Sequence, residues 1–265
     1  MRLSTARYLA LMLFVLGANV FAGELKERFE KTCPLQKNGR FSLQNQNGSI
    51  TIMAWERNEV KIEAEKIARA SRESDAQKML EATEIIVRQT DNSVEVDTRT
   101  PRSVGGDSFW SWMFGGEGGN ITVNYIITVP REIDLKVKSV NGKIEAREIS
   151  GRAELSTTNG GVEVDDAVGS VSAETTNGRI QVSLAKVADN ESMYFETTNG
   201  SVVAAFPQNF SATISARTTN GSINCDFPVT VAGRMGRNEL EGKIGDNGGR
   251  VTLRTTNGSI SIRQL

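Results

Sequence analysis

The chain has 265 residues, and its 31 Lys and Arg offset 32 Asp and Glu to a formal net charge of −1. This balance argues against nucleic acid as a partner, because phosphate binding needs a basic face. The absence of histidine excludes Ser-His and Cys-His nucleophilic systems and His-liganded zinc sites, so the composition disfavours an enzyme, and no metal or other cofactor is expected.

The first segment has the pattern of a secretory signal. Arg2 and Arg7 supply positive charge, residues 9–16 are continuously apolar, and small residues precede a cleavage position after Ala22. The apolar stretch is too short to span a bilayer comfortably. We therefore predict that residues 1–22 are removed and that the mature chain is periplasmic or secreted. No second long apolar run follows, so no transmembrane segment is expected in the mature chain.

The segment after the signal contains one cysteine and two short stretches with the pattern of β-strands. Cys33 could pair with Cys225 in an oxidising compartment, and the sequence leaves open whether they form a disulfide or remain separate thiols. Phe41–Leu43 and Ile50–Ile52 alternate apolar and polar residues on either side of Asn47–Gly48, which indicates one strand–turn–strand unit.

A short helix is predicted over residues 75–83, where apolar residues follow helical spacing. Ser74 begins a capping-box pattern at its amino-terminal end. Alternating strands are predicted around this helix and before the next regular repeats, and two of them form a hairpin across Asp91–Asn92. These strands are 60–64, the hairpin strands 85–87 and 94–96, then 121–129 and 133–137.

The most unusual segment lies over residues 101–119, where glycines frame a cluster of large apolar side chains. Aromatic residues on a glycine-flanked loop are typical of binding anchors. The cluster is therefore the candidate binding site for a partner protein, a glycan or a membrane surface. The alternative is that these side chains fold back and cover the open end of a repeat array. The cluster consists of Phe109, Trp110, Trp112, Met113 and Phe114.

Asn-Gly pairs recur through the rest of the chain, and five of them extend to Thr-Thr-Asn-Gly. From Asn141 the successive spacings are 18, 18, 22, 21 and 37 residues, and the last interval, close to two units, contains Asn247–Gly248 as a candidate degenerate turn. Between the pairs, apolar residues alternate with period two, which predicts two short strands and two turns in each unit. Asn and Gly tolerate positive φ and so suit tight turns. The predicted turn residues are Asn141, Gly142, Asn159, Gly160, Asn177, Gly178, Asn199, Gly200, Asn220, Gly221, Asn257 and Gly258.

Two all-β architectures fit these units. In a β-solenoid or β-roll of stacked two-strand coils, the identical Thr and Asn side chains form ladders. In a hairpin meander, the Asn-Gly pairs are type I′ turns and the flanking threonines need not match. The repeated letters favour the solenoid, with one short helix in the amino-terminal half. We expect an N-terminal β region over 23–130, with the helix and the aromatic segment, continuous with a repeat solenoid over 131–265.

The repeated sequence motifs resemble those of a known family. The string Thr255–Ile260, the opening Asn47–Trp55 and the ending Gly242–Gly249 are similar to the bacterial "putative adhesin" family of β-strand repeat proteins, largely a domain of unknown function. The resemblance covers about residues 35–265. It implies a β-solenoid-like fold and an envelope location, and it offers no catalytic residues to carry over.

The function indicated is an exported, non-enzymatic structural or adhesin-like module that contacts an envelope protein, a glycan or a surface. A periplasmic sensor or regulatory partner is the alternative. A carbohydrate-active β-helix enzyme is the least favoured interpretation, because such sites need paired acids at a defined separation and we expect no acid pair in register between units. Asp165, Asp166 and Asp246 are interpreted as solvated turn residues, since no calcium-binding array repeats.

Overall fold

The computed structural model of the protein describes residues 23–100, 119–187, 191–246 and 248–265. Within these ranges the chain forms twenty strands and one helix, and no helix there is long and apolar enough to cross a bilayer. The first elements are β1 (Glu24–Pro34), β2 (Gly39–Gln44), β3 (Ile50–Trp55), β4 (Glu59–Arg69), α1 (Glu73–Glu81), β5 (Glu84–Gln89), β6 (Ser93–Arg99), β7 (Asn120–Pro130), β8 (Ile133–Lys138) and β9 (Ile144–Arg147). They are followed by β10 (Ser150–Asn159), β11 (Val162–Asn177), β12 (Ile180–Val187), β13 (Met193–Asn199), β14 (Val202–Phe206), β15 (Ala212–Asn220), β16 (Ile223–Cys225), β17 (Thr230–Met235), β18 (Glu239–Ile244), β19 (Arg250–Asn257) and β20 (Ile260–Gln264).

The strands form two sheets around a shared core, and β11 joins them because its two halves pair in different sheets. The central strands of each sheet are parallel. Antiparallel strands lie at both ends of the first sheet and at the β1 end of the second sheet. The first sheet has the order β5-β6-β2-β8-β10-β11-β13-β19-β15-β18-β17. The second sheet has the order β1-β4-β7-β3-β9-β11-β12-β14-β20-β16.

Each coil of the stack consists of one strand from the first sheet, a connection, and one strand from the second sheet. Alternation places every second side chain on the inner face, so aliphatic residues of successive coils stack in rows. Val162, Ile180, Val202 and Ile260 form one such row and are 0–1% exposed. Parallel, in-register pairing confirms the β-solenoid and shows that the hairpin meander is wrong.

The spatial order of the coils differs from their order in the chain. The last coil, β19–β20, lies between the coils β13–β14 and β15–β16. At the other end, the coil β2–β3 lies between β6–β7 and β8–β9. The 37-residue interval before Asn257 is therefore not filled by a second coil, as the spacing suggested. It contains β16 and the antiparallel pair β17–β18, which covers the outer edge of β15.

The amino-terminal elements extend one end of the stack. The predicted hairpin is confirmed as β5–β6, and the strand over 121–129 is confirmed as β7. The helix begins two residues earlier than predicted, and the capping box at Ser74 is wrong. Arg72 is the N-cap residue because its carbonyl accepts from the Ala76 N–H across 3.2 Å. Its side chain provides no cap, since a guanidinium has no hydrogen-bond acceptor. An ion pair of 2.8 Å between Arg72 and Asp75 stabilises this first turn.

Candidate functional site

Seven asparagines, each from a different stacked coil, form a continuous row of side-chain hydrogen bonds along one corner of the solenoid. In each of six bonds, the Nδ2 of one asparagine donates to the Oδ1 of its neighbour across 2.6–2.8 Å. Donation runs in one direction, so Asn47 at one end accepts and Asn220 at the other end donates. In spatial order the row, which we name the asparagine ladder, is Asn47, Asn141, Asn159, Asn177, Asn199, Asn257 and Asn220.

The two threonines of each Thr-Thr-Asn-Gly string have different environments. The first is buried, and its hydroxyl donates to the carbonyl of a glycine in the neighbouring coil, as Thr175 does to Gly160 across 2.8 Å. The same bond recurs in the other four strings at 2.8–3.1 Å. The second threonine is exposed in all five strings. The first threonine thus stabilises the stack, and the second is available to solvent.

The glycines of these strings lie against the backbone of the next coil. A Cβ on Gly178 would lie 1.9 Å from the carbonyl oxygen of Gly160, and the other ladder glycines are equally confined, at 1.9–2.1 Å. Positive φ explains only part of the Asn-Gly pattern. Gly142 has a φ of 156°, but no asparagine of the asparagine ladder has positive φ. Close approach between coils, more than turn geometry, is therefore what requires glycine here.

A shallow depression lies on the outer face of the first sheet, across strands β8, β10, β11 and β13. Its volume is about 360 Å³. Small residues, Ser156 and Ser172, leave space between longer neighbours, and half-buried Tyr194 stands at one side. The remaining lining residues are Lys136, Lys138, Glu154, Leu155 and Glu174. We name this feature the outer depression.

Charges in the outer depression are partly paired. Lys136 Nζ lies 2.8 Å from a carboxylate oxygen of Glu154, and this hydrogen bond lowers the pKa of the Glu154 carboxyl. Glu174 is directly opposite Glu196 on the adjacent parallel strand. The expectation that no acid pair occurs in register between units is therefore wrong. Like charges opposite each other cost stability in a sheet, so this pair is not explained by packing.

The outer depression was not found from the sequence. Its lining residues differ in type from one unit to the next, since they occupy outward positions that core packing does not constrain. Aligning the units on their Asn-Gly pairs would have placed Ser156 beside Glu174 and Glu154 beside Ser172, as the register does. That alignment was the signal available.

The predicted aromatic cluster, Phe109, Trp110, Trp112, Met113 and Phe114, lies outside the described residues, as do the predicted signal and Asn247. The described flank of the aromatic segment, Thr100, donates its hydroxyl to Gln46 Oε1 across 2.6 Å. This contact places the flank next to Asn47, the first residue of the asparagine ladder.

The two cysteines are free thiols, so the disulfide considered from the sequence does not form. Cys33 lies in β1 and Cys225 in β16, the first and last strands of the second sheet. With neighbouring strands about 4.8 Å apart, the eight strands between them separate these residues far beyond bonding distance. Burial raises the pKa of both thiols.

No group of three or more Cys, Asp or Glu side chains that could hold a metal ion occurs in the ranges the structure covers. Asp165 is 3.8 Å from Arg147, in an exposed ion pair. Asp166 has a φ of 57° and its N–H donates to Ser183 Oγ across 3.0 Å. Both residues thus have local structural contacts at the corner opposite the asparagine ladder.

Comparison with known proteins finds a matching family and several similar solved structures. Residues 134–263 match the family described as Toastrack DUF4097, which confirms the resemblance to a β-repeat domain of unknown function over that span. A "putative cell adhesion protein" of Clostridium sporogenes is similar at 15% identity and a TM-score of 0.45, covering 90% of this chain and 100% of that one. A "putative adhesin" of Bacteroides fragilis has 9% identity and a TM-score of 0.28, covering 90% of this chain and 97% of that one. No curated protein matches the chain by sequence.

Proposed function

We propose that this chain, whose residues 134–263 match the Toastrack family, is an exported, non-enzymatic interaction module of the bacterial cell envelope. The observation that carries the proposal is the outer depression, which lies on a rigid face of parallel strands. Ladder bonds and buried threonines hold that face in place without using its outward side chains. Those outward side chains are therefore free to contact a partner.

The chemistry of the outer depression suits a polar, extended partner such as an envelope glycan. Tyr194 offers an apolar ring with a polar tip, which packs against a sugar or peptide while its hydroxyl remains solvated. Ser156, Ser172 and Lys138 supply hydroxyl and ammonium groups beside it. A few polar groups converging beside an aromatic ring are the usual composition of a small binding site.

The aromatic segment supplies a second contact in this proposal. In the sequence, Trp110 and Trp112 lie between β6 and β7. Large aromatic side chains dominate binding energy at many protein interfaces. The two tryptophans insert into the partner, and the outer depression binds along its length.

Export rests on the signal pattern of residues 1–22. Because β1 begins at Glu24, cleavage after Ala22 would leave every described strand intact. Cell fractionation and amino-terminal sequencing test this step. A mature chain that begins at Gly23 in the periplasmic or secreted fraction supports it, and an uncleaved cytosolic chain contradicts it.

One observation favours a second candidate function, a polysaccharide-cleaving enzyme. Glu174 and Glu196 are opposed on adjacent strands, and glycoside hydrolysis uses two carboxylates. With histidine absent, carboxylates, Lys and Tyr are the side chains left for acid–base chemistry, and Glu174 with Glu196 is such a carboxylate pair. A sensor or regulatory partner in the periplasm would use the same surface as an adhesin-like module, with a protein as its ligand.

Binding of the purified protein to whole cells, peptidoglycan and glycans tests the proposal. We expect Tyr194→Ala, and separately Trp110→Ala with Trp112→Ala, to reduce binding at least tenfold. Thr252→Ala is the matched control, because Thr252 is the in-register neighbour of Tyr194 outside the depression. Equal binding by all variants contradicts the proposal. Turnover of a polysaccharide that Glu174→Gln abolishes would establish the enzyme instead.

A further inference from the structure

β1 forms the outer edge of the second sheet at the amino-terminal end of the stack. It pairs with β4 over eleven residues without a register shift, and no strand among the described residues pairs with its other side. Natural edge strands are usually short, bulged, or interrupted by proline. β1 is long and unbulged, and its proline is the last residue, so its charged side chains are the usual barrier to further pairing that it retains.

The backbone groups available on this edge can be assigned from the antiparallel pattern. Gly23 C=O accepts from Ala70 N–H across 3.0 Å, and Leu35 N–H donates to Asn58 C=O across 3.1 Å. Residues along an antiparallel strand alternate in bonding direction. Odd-numbered residues of β1 therefore bond to β4. The N–H and C=O groups of Lys26, Arg28, Glu30 and Thr32 point away from β4.

The sequence of β1 is complementary to itself when a second copy runs antiparallel about Phe29. In that register Arg28 lies opposite Glu30 of the second copy, and Glu27 lies opposite Lys31. Phe29 meets the other Phe29, and Leu25 meets Cys33. The even-numbered residues then form the hydrogen-bonded pairs, which is the arrangement their outward backbone groups require.

We infer that β1 pairs with β1 of a second copy of this chain, which joins two solenoids end to end through one continuous second sheet. Opposite charges directly across an antiparallel pair stabilise it, and like charges destabilise it. Arg28 lies 3.6 Å from Glu65 and Glu30 lies 3.2 Å from Lys61, both on β4. The Arg28 and Glu30 side chains nevertheless remain 75% and 64% exposed, so each can also contact a second copy.

The inner face of the edge supports the same arrangement. Phe29 is only half-buried although it packs against the core, so a second Phe29 would cover its free side. Glu27 already pairs with Lys66 across 3.0 Å, and Lys31 has no ion-pair partner in the part of the chain described. Pairing supplies Lys31 with the partner's Glu27. The interface therefore buries aromatic surface and leaves no charge of β1 opposed by a like charge.

The helix leaves the centre of this edge open. α1 packs with Leu25, Ala68 and Ile121 in a separate small cluster. Leu25 is close to the start of β1, and Phe29 is four residues further along. The contact between the two Phe29 residues, at the centre of the proposed pairing, therefore lies away from the helix.

Sedimentation over a concentration series tests the inference with charge reversals. We expect the unaltered protein to have about twice the mass of one chain. Arg28→Glu and Glu30→Arg, each alone, place like charges opposite each other twice and should yield monomers. An equimolar mixture of these two variants restores opposite charges at both positions, so it should form a heterodimer. Far-ultraviolet circular dichroism verifies that each variant is folded.

Amide exchange provides an independent readout. Because the N–H groups of Arg28 and Glu30 point away from β4, they exchange rapidly in a monomer and slowly in the dimer. We expect their protection to rise with protein concentration, whereas protection of Phe29, whose N–H faces β4, should not. A monomer mass at every concentration, a dimer unaffected by either reversal, or a mixture that remains monomeric overturns the inference.

Discussion

Asn257 donates a hydrogen bond from Nδ2 to Oδ1 of Asn199 across 2.8 Å, although the two residues are 58 positions apart. Asn220 donates in turn to Asn257 across 2.8 Å. The last coil of the chain therefore separates two coils that are consecutive in sequence. The ladder is continuous because every coil presents the same asparagine at the same corner, whichever part of the chain supplies it.

The direction of the asparagine ladder predicts different effects of the same substitution at its two ends. Asn47→Asp keeps the acceptor that Asn141 uses, so unfolding free energy should change little. Asn220→Asp replaces a donor by a carboxylate facing Asn257 Oδ1, and should cost about 0.5–1.5 kcal/mol. Urea unfolding measures both. A larger loss for Asn47→Asp than for Asn220→Asp would reverse the assigned direction.

The glycine contacts predict that Gly178→Ala is severely destabilising. Its Cβ would lie 1.9 Å from Gly160 O, so the coils would have to separate, at a cost of ~3 kcal/mol. Gly236→Ala is the control, because its nearest neighbour, Asn238 Oδ1, would lie 4.0 Å from the new Cβ. Thermal unfolding followed by circular dichroism compares them. Equal melting temperatures would show that close approach does not determine the glycine.

The buried threonine hydroxyl can be removed with little change of shape. Thr175→Val leaves Gly160 C=O without its 2.8 Å donor and should lower the unfolding free energy by about 1–2 kcal/mol. Thr176→Val alters the exposed neighbour and should have an effect within about 0.5 kcal/mol. Denaturant unfolding of the two variants decides this point, and indistinguishable midpoints would count against a stabilising role for the first threonine.

Tyr125 predicts a loss of stability at high pH. Its side chain is buried with its hydroxyl 2.7 Å from Thr98 Oγ1, and burial raises the pKa of Tyr125 to about 12 from 10.0. The folded state thus favours the neutral phenol. This contribution is complete below pH 10 and is lost between about pH 10 and 12, by roughly 3 kcal/mol in total.

Unfolding free energies measured across that pH range test the prediction, with Tyr125→Phe as the control. The variant lacks the ionisable group and should lose less stability than the unaltered protein over the same range. Parallel curves for the two proteins would mean that Tyr125 does not contribute to the alkaline transition.

The central coils could be predicted because each coil must make the same contacts to the next coil of the stack. Thr175, Asn177 and Gly178 each contact their counterparts or the backbone of the next coil, so the letters recur and are visible in the sequence. The order of the coils could not be predicted. Asn199 is equally compatible with Asn220 and Asn257, and the choice depends on where β17 and β18 cover the end.

The start of α1 and the outer depression were missed for a different reason. Ser74 has the letters of a cap, but the helix begins where the Arg72 carbonyl finds its donor, which depends on how β4 ends. Glu174 and Glu196 are brought together by a register between strands. Periodicity within either strand contains no information about that register, whereas alignment of the two units on Asn177 and Asn199 does.

Cross-linking of paired cysteines tests the coil order most directly. In a background of Cys33→Ala and Cys225→Ala, Thr198→Cys with Thr256→Cys joins neighbouring strands, about 4.8 Å apart and within disulfide reach. Thr198→Cys with Thr219→Cys spans two strand spacings, about 9.6 Å, because β19 lies between them. Oxidation and mass spectrometry should detect the bond in the first pair and not in the second. A bond in the second pair and none in the first would show that the coils stack in chain order, and would contradict this structure.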